Sequence, residues 1–77
     1  MFTKQNMKKY LEFKDATKNS FKFWQIEIKE KKIIIKYGRI GIENPAILIK
    51  DFKSADDAKK YSDTVIREKM NKGYKEK

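Results

Sequence analysis

An aromatic residue and an arginine flank a single glycine at Tyr37, Gly38 and Arg39, and Gly41 follows two positions after the arginine. An exposed aromatic ring can stack on a nucleotide, and an arginine can bind a phosphate through two parallel hydrogen bonds. A glycine between them lets the backbone approach a ligand closely. The same residues can instead end a strand, with the tyrosine as a cross-strand partner and the glycines at a bulge. The motif alone leaves both interpretations open.

The net charge is compatible both with a polyanionic partner and with lysines that serve only solubility. The 77 residues include 20 basic and 11 acidic side chains, which give a net charge of +9, and 18 of the basic residues are lysines. Positive potential attracts nucleic acid without sequence specificity, and the affinity then falls steeply with salt. Acidic residues interrupt nearly every basic cluster, and most lysines of a basic protein are simply solvated. Lys22 and Lys36 are the lysines that flank the aromatic residues and could contact phosphate.

The composition argues against an enzyme. The chain has no cysteine and no histidine, which removes thiol nucleophiles, imidazole acid–base catalysis and the usual zinc ligands. No carboxylate pair, lysine or serine belongs to a recognisable catalytic arrangement. We therefore expect no enzymatic activity, no cofactor and no metal. The N-terminal residues lack the apolar core of a secretory signal, and no stretch approaches the roughly 20 apolar residues of a membrane span, so a cytoplasmic protein without membrane contact is expected.

Hydrophobic periodicity predicts four strands in the first two thirds of the chain. Residues 8–15 alternate between apolar and polar, and residues 21–29 place Trp24, Ile26 and Ile28 on one face. After a short reversal, β-branched residues favour an extended segment, and the break at Pro45 separates it from another apolar run. The last two predicted strands are residues 33–40 and 46–52.

A helix is predicted after the strands. Ser54 is a candidate N-cap, Asp56 and Asp57 suit the positive first turn, and Gly73 stands where a helix commonly ends. The expected fold class is α+β, with a small antiparallel sheet of about four strands packed against one C-terminal helix. We expect a single domain over residues 1–77, with frayed termini at 1–7 and 74–77. The predicted core comprises Leu11, Trp24, Ile26, Ile28, the isoleucines of the third strand, Leu48, Phe52, Val65 and Ile66.

The order and spacing of these elements resemble the WGR domain, a family named after a Trp-Gly-Arg signature. Tyr37 stands in place of the signature tryptophan and is followed by Gly38 and Arg39. Phe23 and Trp24 match the paired aromatics that begin the family's second strand. The segment "DFKSADDAKK" matches the join between strand and capped helix, and "EKMNKGY" matches the helix end of bacterial members. The resemblance covers nearly the whole chain.

The resemblance implies DNA binding, because WGR domains of poly(ADP-ribose) polymerases hold DNA ends and strand breaks. In the family, the signature aromatic packs on the sugar of a terminal nucleotide, and the arginine makes polar contacts near the DNA end. By this resemblance Tyr37 is the stacking platform and Arg39 contacts a phosphate or a partner protein. Tyrosine presents a smaller face than tryptophan and adds a hydroxyl, so this stacking is expected to be weaker.

Two functions remain open at this point. The first is a free-standing module that binds DNA ends or breaks; its candidate contacts are Tyr37, Gly38, Arg39, Lys36 and Lys22. The second is a protein-interaction or self-association module, monomeric or weakly dimeric, that uses the open face of the sheet. Phe21 and Phe23 lie on the face opposite Trp24 and are the candidate patch for such a partner. Strong salt dependence is expected of the first function and salt-tolerant association of the second.

Overall fold

The computed structural model describes residues 6–77, which form an antiparallel sheet and one long helix. The predicted α+β class is confirmed, as are the four predicted strands and the C-terminal helix, and a short fifth strand adds to them. In chain order the elements are β1 (Asn6–Asp15), a short 3₁₀ helix (Ala16–Lys18), β2 (Ser20–Lys29), β3 (Lys32–Arg39), β4 (Ala46–Asp51), α1 (Ala55–Asn71) and β5 (Lys75–Glu76).

The sheet has the order β4-β3-β2-β1-β5, and all neighbouring strands are antiparallel. Short connections give β1 to β4 this order, because a tight turn can join only antiparallel neighbours. Between β2 and β3 the chain reverses with Glu30 at a φ of 57°, and between β1 and β2 Asn19 has a φ of 52°. The Asp15 side chain accepts a hydrogen bond from the Thr17 amide at 3.1 Å and stabilises the latter turn.

The strand register divides the sheet into two faces. Trp24 lies opposite Leu11 on β1 and opposite Tyr37 on β3, and Ile26 lies opposite Ile35. These residues share the face that α1 covers, and the next residues along each strand lie on the open face. Within residues 6–77 the buried apolar side chains are Leu11, Trp24, Ile26, Ile28, Ile33, Ile35, Ala58 and Ile66.

The prediction that Leu48 belongs to the core is wrong, since its side chain is 42% exposed. The register places Leu48 opposite Ile35 on the helix-facing side. However, α1 packs mainly against β2 and β3, so β4 lies beyond its cover. As the edge strand, β4 has no neighbour on its outer side, and all its residues are exposed. Phe52 and Val65 pack against the core and are partly buried.

The ends of α1 are set by local hydrogen bonds. Ser54 is the N-cap, and its hydroxyl accepts a hydrogen bond from the Asp57 amide at 3.1 Å, as predicted. At the other end Gly73 has a φ of +111°, and the Tyr74 amide donates to the Lys69 carbonyl at 3.0 Å. A glycine in this conformation reverses the chain just after a helix. Within residues 6–77, no helix has the length and apolar character needed to cross a membrane.

After this reversal the chain returns to the sheet instead of fraying over residues 74–77 as expected. Lys75 and Glu76 form β5 beside β1, and the Lys77 amide donates to the Tyr10 carbonyl at 3.0 Å. The Tyr74 ring packs against Phe13 with 5.5 Å between ring centroids. A two-residue strand shows no periodicity, so the sequence could not reveal it. At the N terminus, the expected fraying falls mostly on residues 1–5, which lie outside the described residues, and β1 begins at Asn6.

Gly73→Ala should destabilise the fold more than Gly41→Ala. Both glycines have positive φ, +111° and +92°, so alanine adds backbone strain of about 1–3 kcal/mol at either position. A Cβ at Gly73 would also lie 2.9 Å from Cε1 of Phe13, whereas one at Gly41 would meet nothing within 4 Å. Overpacking of this kind costs about 1–3 kcal/mol in addition. Urea unfolding of both variants measures the difference, and equal losses would show that the Phe13 ring moves aside freely.

Candidate nucleic-acid interface

Tyr37 lies on the helix-facing side of the sheet but at its uncovered end. Along β2 and β3 the facing pairs run from Ile28–Ile33 and Ile26–Ile35 to Trp24–Tyr37. Trp24 is 4% exposed, while Tyr37 is 46% exposed. The cross-strand pairing predicted for Tyr37 therefore exists, and it leaves much of the ring accessible. Pairing within the sheet and contact with a ligand are compatible at this position.

The next pair beyond Trp24 and Tyr37 consists of two cations, Lys22 and Arg39. Both side chains are exposed. Like charges directly opposite each other on neighbouring strands are destabilising. Within residues 6–77 neither side chain forms an ion pair. This end of the sheet therefore concentrates positive charge that an anion would neutralise.

A surface ion pair would give Arg39 a purely structural role, and none forms within the described residues. Asp51, an acidic residue of β4, lies opposite Lys32 at the other end of the sheet. Glu43 lies in the exposed loop that follows β3 and makes no ion pair with Arg39. The Arg39 guanidinium is thus available to a ligand.

A cavity of about 300 Å³ opens beside these residues. Sheet and helix both contribute to its lining. Tyr37, Arg39 and Lys22 come from the sheet, and Lys69 and Tyr74 come from the end of α1 and the turn that follows it. Trp24, Gly38, Phe21 and Phe23 complete its lining. The volume is at the lower end of the range for small-ligand sites, and the combination of aromatic rings and cations suits a phosphorylated aromatic group.

Sequence reasoning missed Lys69 and Tyr74. Lys69 follows Ser62, Val65 and Ile66 at helical spacing, so it lies on the side of α1 that faces the sheet. A lysine on an apolar helix face was the signal that could have identified it. Tyr74 had no such signal, because its position depends on the reversal at Gly73 and on packing against a strand that is distant in the chain.

Lys69 is held between two aromatic rings. Its Nζ lies 5.8 Å from the Trp24 ring centroid and 5.4 Å from that of Tyr74, within the range of cation–π attraction. Partial burial lowers the pKa of Lys69, and the nearby charges of Lys72 and Lys22 lower it further, while Glu68 acts in the opposite direction. Its ammonium is therefore partly stripped of water and faces two other cations. An anion bound here would stabilise the charged form of Lys69 and offset the repulsion from the two neighbouring lysines.

Gly38 has a structural reason to be glycine. It lies opposite Phe23 on the open face, and a Cβ at this position would be 3.3 Å from Cγ2 of Ile42. That distance is tight, so a larger residue would push aside the Ile42 side chain, which lies in the loop after β3. Gly38 also lines the cavity beside Tyr37.

Lys36 does not line the cavity beside Tyr37. It lies opposite Gln25 and Ile47, which places it on the open face of the sheet. Of the five candidate contacts, four line the cavity: Tyr37, Gly38, Arg39 and Lys22.

The candidate protein-interaction patch is partly occupied by neighbouring side chains. Phe23 stacks on Tyr10 with 5.8 Å between centroids and an interplanar angle of 17°. Phe21 and Phe23 are both partly buried. The apolar residues most exposed on the open face are instead Ile47 and Ile49, at 58% and 55%. Residues 6–77 contain no group of three acidic side chains arranged to hold a metal ion.

The model of the WGR domain family matches residues 7–77. This chain belongs to the WGR domain family. WGR domains are binding domains, not catalytic ones, and they generally bind nucleic acid. The cavity described above therefore lies at the Tyr-Gly-Arg segment that replaces the signature of this family.

A solved structure of a protein from Bacteroides fragilis resembles this WGR domain, with a TM-score of 0.84 and 37% sequence identity over 92% of the present chain. The matched region makes up 19% of that longer chain. A comparison with curated proteins gave no match.

Tyr37→Ala should leave the fold nearly intact, whereas Trp24→Ala should not. The exposed Tyr37 ring contributes a cross-strand pair of about 0.2–1 kcal/mol. Removal of the buried Trp24 ring should cost about 3–5 kcal/mol or abolish folding of this small domain. Guanidinium unfolding monitored by circular dichroism tests both variants. A loss at Tyr37 as large as that at Trp24 would make Tyr37 a core residue and remove it from the candidate interface.

Proposed function

We propose that this WGR domain binds DNA at ends or breaks, with Tyr37 as the stacking platform and with Arg39 and Lys22 as the phosphate contacts. The observation that carries the proposal is the pair of unneutralised cations, Lys22 and Arg39, directly beside an exposed aromatic ring at the mouth of a cavity. This arrangement supplies an aromatic surface for a nucleotide and two charges for its phosphates.

Preference for ends follows from access to the ring. Inside a duplex each base is covered on both sides by its neighbours, so a single ring such as Tyr37 can stack only where a neighbour is missing. A terminal or nicked nucleotide meets that condition. The cavity beside Tyr37, at about 300 Å³, receives one nucleotide-sized group and not a longer stack.

The other two candidate residues, Gly38 and Lys36, have secondary roles in this proposal. Gly38 lets the backbone form the wall of the cavity beside Tyr37. Lys36 lies on the other face of the sheet, so it adds to the positive potential around the domain without contacting the nucleotide on Tyr37.

Tyr37→Ala should weaken binding to an open-ended duplex by about 5- to 150-fold, the equivalent of one stacked base. Tyr37→Trp, which restores the family signature, should bind at least as tightly as the unchanged chain. Arg39→Lys keeps the charge but cannot grip a phosphate with two parallel hydrogen bonds, so it should fall between Arg39→Ala and the unchanged chain. Fluorescence anisotropy with an internally labelled duplex measures these affinities.

The control for this experiment is a duplex of the same sequence closed by a hairpin loop at each end. The unchanged domain should bind the closed duplex more weakly, and Tyr37→Ala should affect the closed duplex little. Equal affinity for open and closed duplexes, or an unchanged affinity of Tyr37→Ala for open ends, would contradict the proposal.

A second candidate function is self-association through β4. Ile47, Leu48 and Ile49 are exposed on an edge strand, and such an edge can pair with another strand. In an antiparallel pairing centred on Leu48, Ile47 of one copy lies opposite Ile49 of the other. Apolar residues then meet apolar residues on both faces. The net charge of +9 on each copy opposes this pairing.

Self-association through β4 should therefore strengthen as salt increases, because salt screens the repulsion between copies. DNA binding should weaken under the same change. Sedimentation equilibrium at low and moderate salt tests this, with Ile47→Lys expected to abolish a dimer and Met70→Lys, which adds the same charge on α1, expected to preserve it. A monomer at both salt concentrations would eliminate this candidate.

A further inference from the structure

A second cavity, of about 250 Å³, lies at the C-terminal end of α1. It is lined by Phe13 from β1, Lys22 from β2, Lys69 and Lys72 from the helix end, and Tyr74. Lys22, Lys69 and Tyr74 also line the cavity beside Tyr37. The two cavities are therefore neighbours that share a wall.

Aromatic rings position the cations of this second cavity. The rings of Phe13 and Tyr74 lie 5.5 Å apart with an angle of 39° between them. Lys22 places its Nζ 6.0 Å from the Phe13 centroid, and Lys69 places its Nζ 5.4 Å from that of Tyr74. Packing of this kind covers the aliphatic part of a lysine and leaves its ammonium directed to the edge of the apolar surface.

Helix stabilisation does not account for this cluster. Lys69 and Lys72, at the C-terminal end of α1, interact favourably with the helix dipole. Lys22 belongs to β2 and has no such reason to be there. Its charge and that of Lys72 both oppose protonation of Lys69. Among residues 6–77, none of the three lysines forms an ion pair with a carboxylate.

We propose that Lys22, Lys69 and Lys72 bind a phosphate group adjacent to the nucleotide that stacks on Tyr37. This inference rests on the proposed function and adds a second point of attachment to it. Three ammonium groups around one small cavity match the charge of a phosphate, and the aromatic walls exclude part of the water that would otherwise screen them.

The proposal also sets the path of the bound strand. From Tyr37 the strand passes the end of α1 toward β5, where Lys14, Lys75 and Lys77 line another small cavity. Glu12 lines the same cavity and forms an ion pair with Lys14 at 3.4 Å, so three cations there meet one carboxylate. The opposite direction leads over β4, which presents apolar residues at positions 47–49. Lysine side chains line the first path, so a phosphate backbone is attracted along it.

The test compares two double variants that have the same net charge. Lys69→Gln with Lys72→Gln removes two cations of the second cavity that the proposed function does not use as contacts, and Lys31→Gln with Lys60→Gln removes two exposed cations elsewhere. Affinity for an open-ended duplex is measured against salt concentration. The slope of log K against log salt should fall by about 0.9 for each phosphate that the first variant no longer neutralises, and it should change little in the second.

The source of the phosphate is resolved by using duplexes with and without a phosphate on the terminal nucleotide. Weaker binding of the first variant to both duplexes identifies an internal phosphodiester, and weaker binding to the phosphorylated duplex alone identifies a terminal phosphate. Lys69→Arg with Lys72→Arg keeps both charges and should keep the slope. Circular dichroism verifies that each variant is folded.

Equal slopes for the two glutamine variants would overturn the second phosphate site. That result leaves the proposed function intact if Tyr37→Ala still abolishes the preference for open ends. If the unchanged domain shows no preference for open ends, the proposed function itself fails. The two failures are therefore distinguishable in one set of titrations.

Discussion

The pairing register of β2 and β3 is the constraint on which the rest of the structure depends. It places Ile28, Ile26 and Trp24 on one face, and a slip of one residue would turn all of them to the other side. The same alternation carries Tyr37 and Arg39 onto the face that α1 covers. Because the helix leaves these two residues exposed, one continuous face is a core at one end and a candidate ligand surface at the other.

The end of α1 completes this surface. Lys69 lies on the sheet-facing side of the helix and reaches the Trp24 ring, and Gly73 reverses the chain so that Tyr74 packs on Phe13. The short strand β5 then holds the chain end against β1. The packing that stabilises the C-terminal segment therefore also collects cations beside Tyr37. Stability and the candidate binding site share the same contacts.

Much of this arrangement could be predicted from the sequence, and the exceptions have physical causes. Period-two alternation and the Ser54 cap are local patterns, so four strands and the helix start were found correctly. Leu48 was placed in the core because apolar character does not reveal how far a helix extends over a sheet. The strand β5 could not be predicted, because its two residues form a strand only by pairing with β1, at the opposite end of the chain.

The sequence by itself determined the fold class, the family resemblance and the candidate residues Tyr37, Arg39 and Lys22, because each rests on residues that are close together in the chain. Only the tertiary structure decided that Tyr37 is exposed and that Lys69 and Tyr74 join the cavity. Exposure and convergence depend on which distant segments cover a residue. The packing of α1 and β5 on the sheet determines which residues are covered, and local periodicity in the sequence does not reveal this packing.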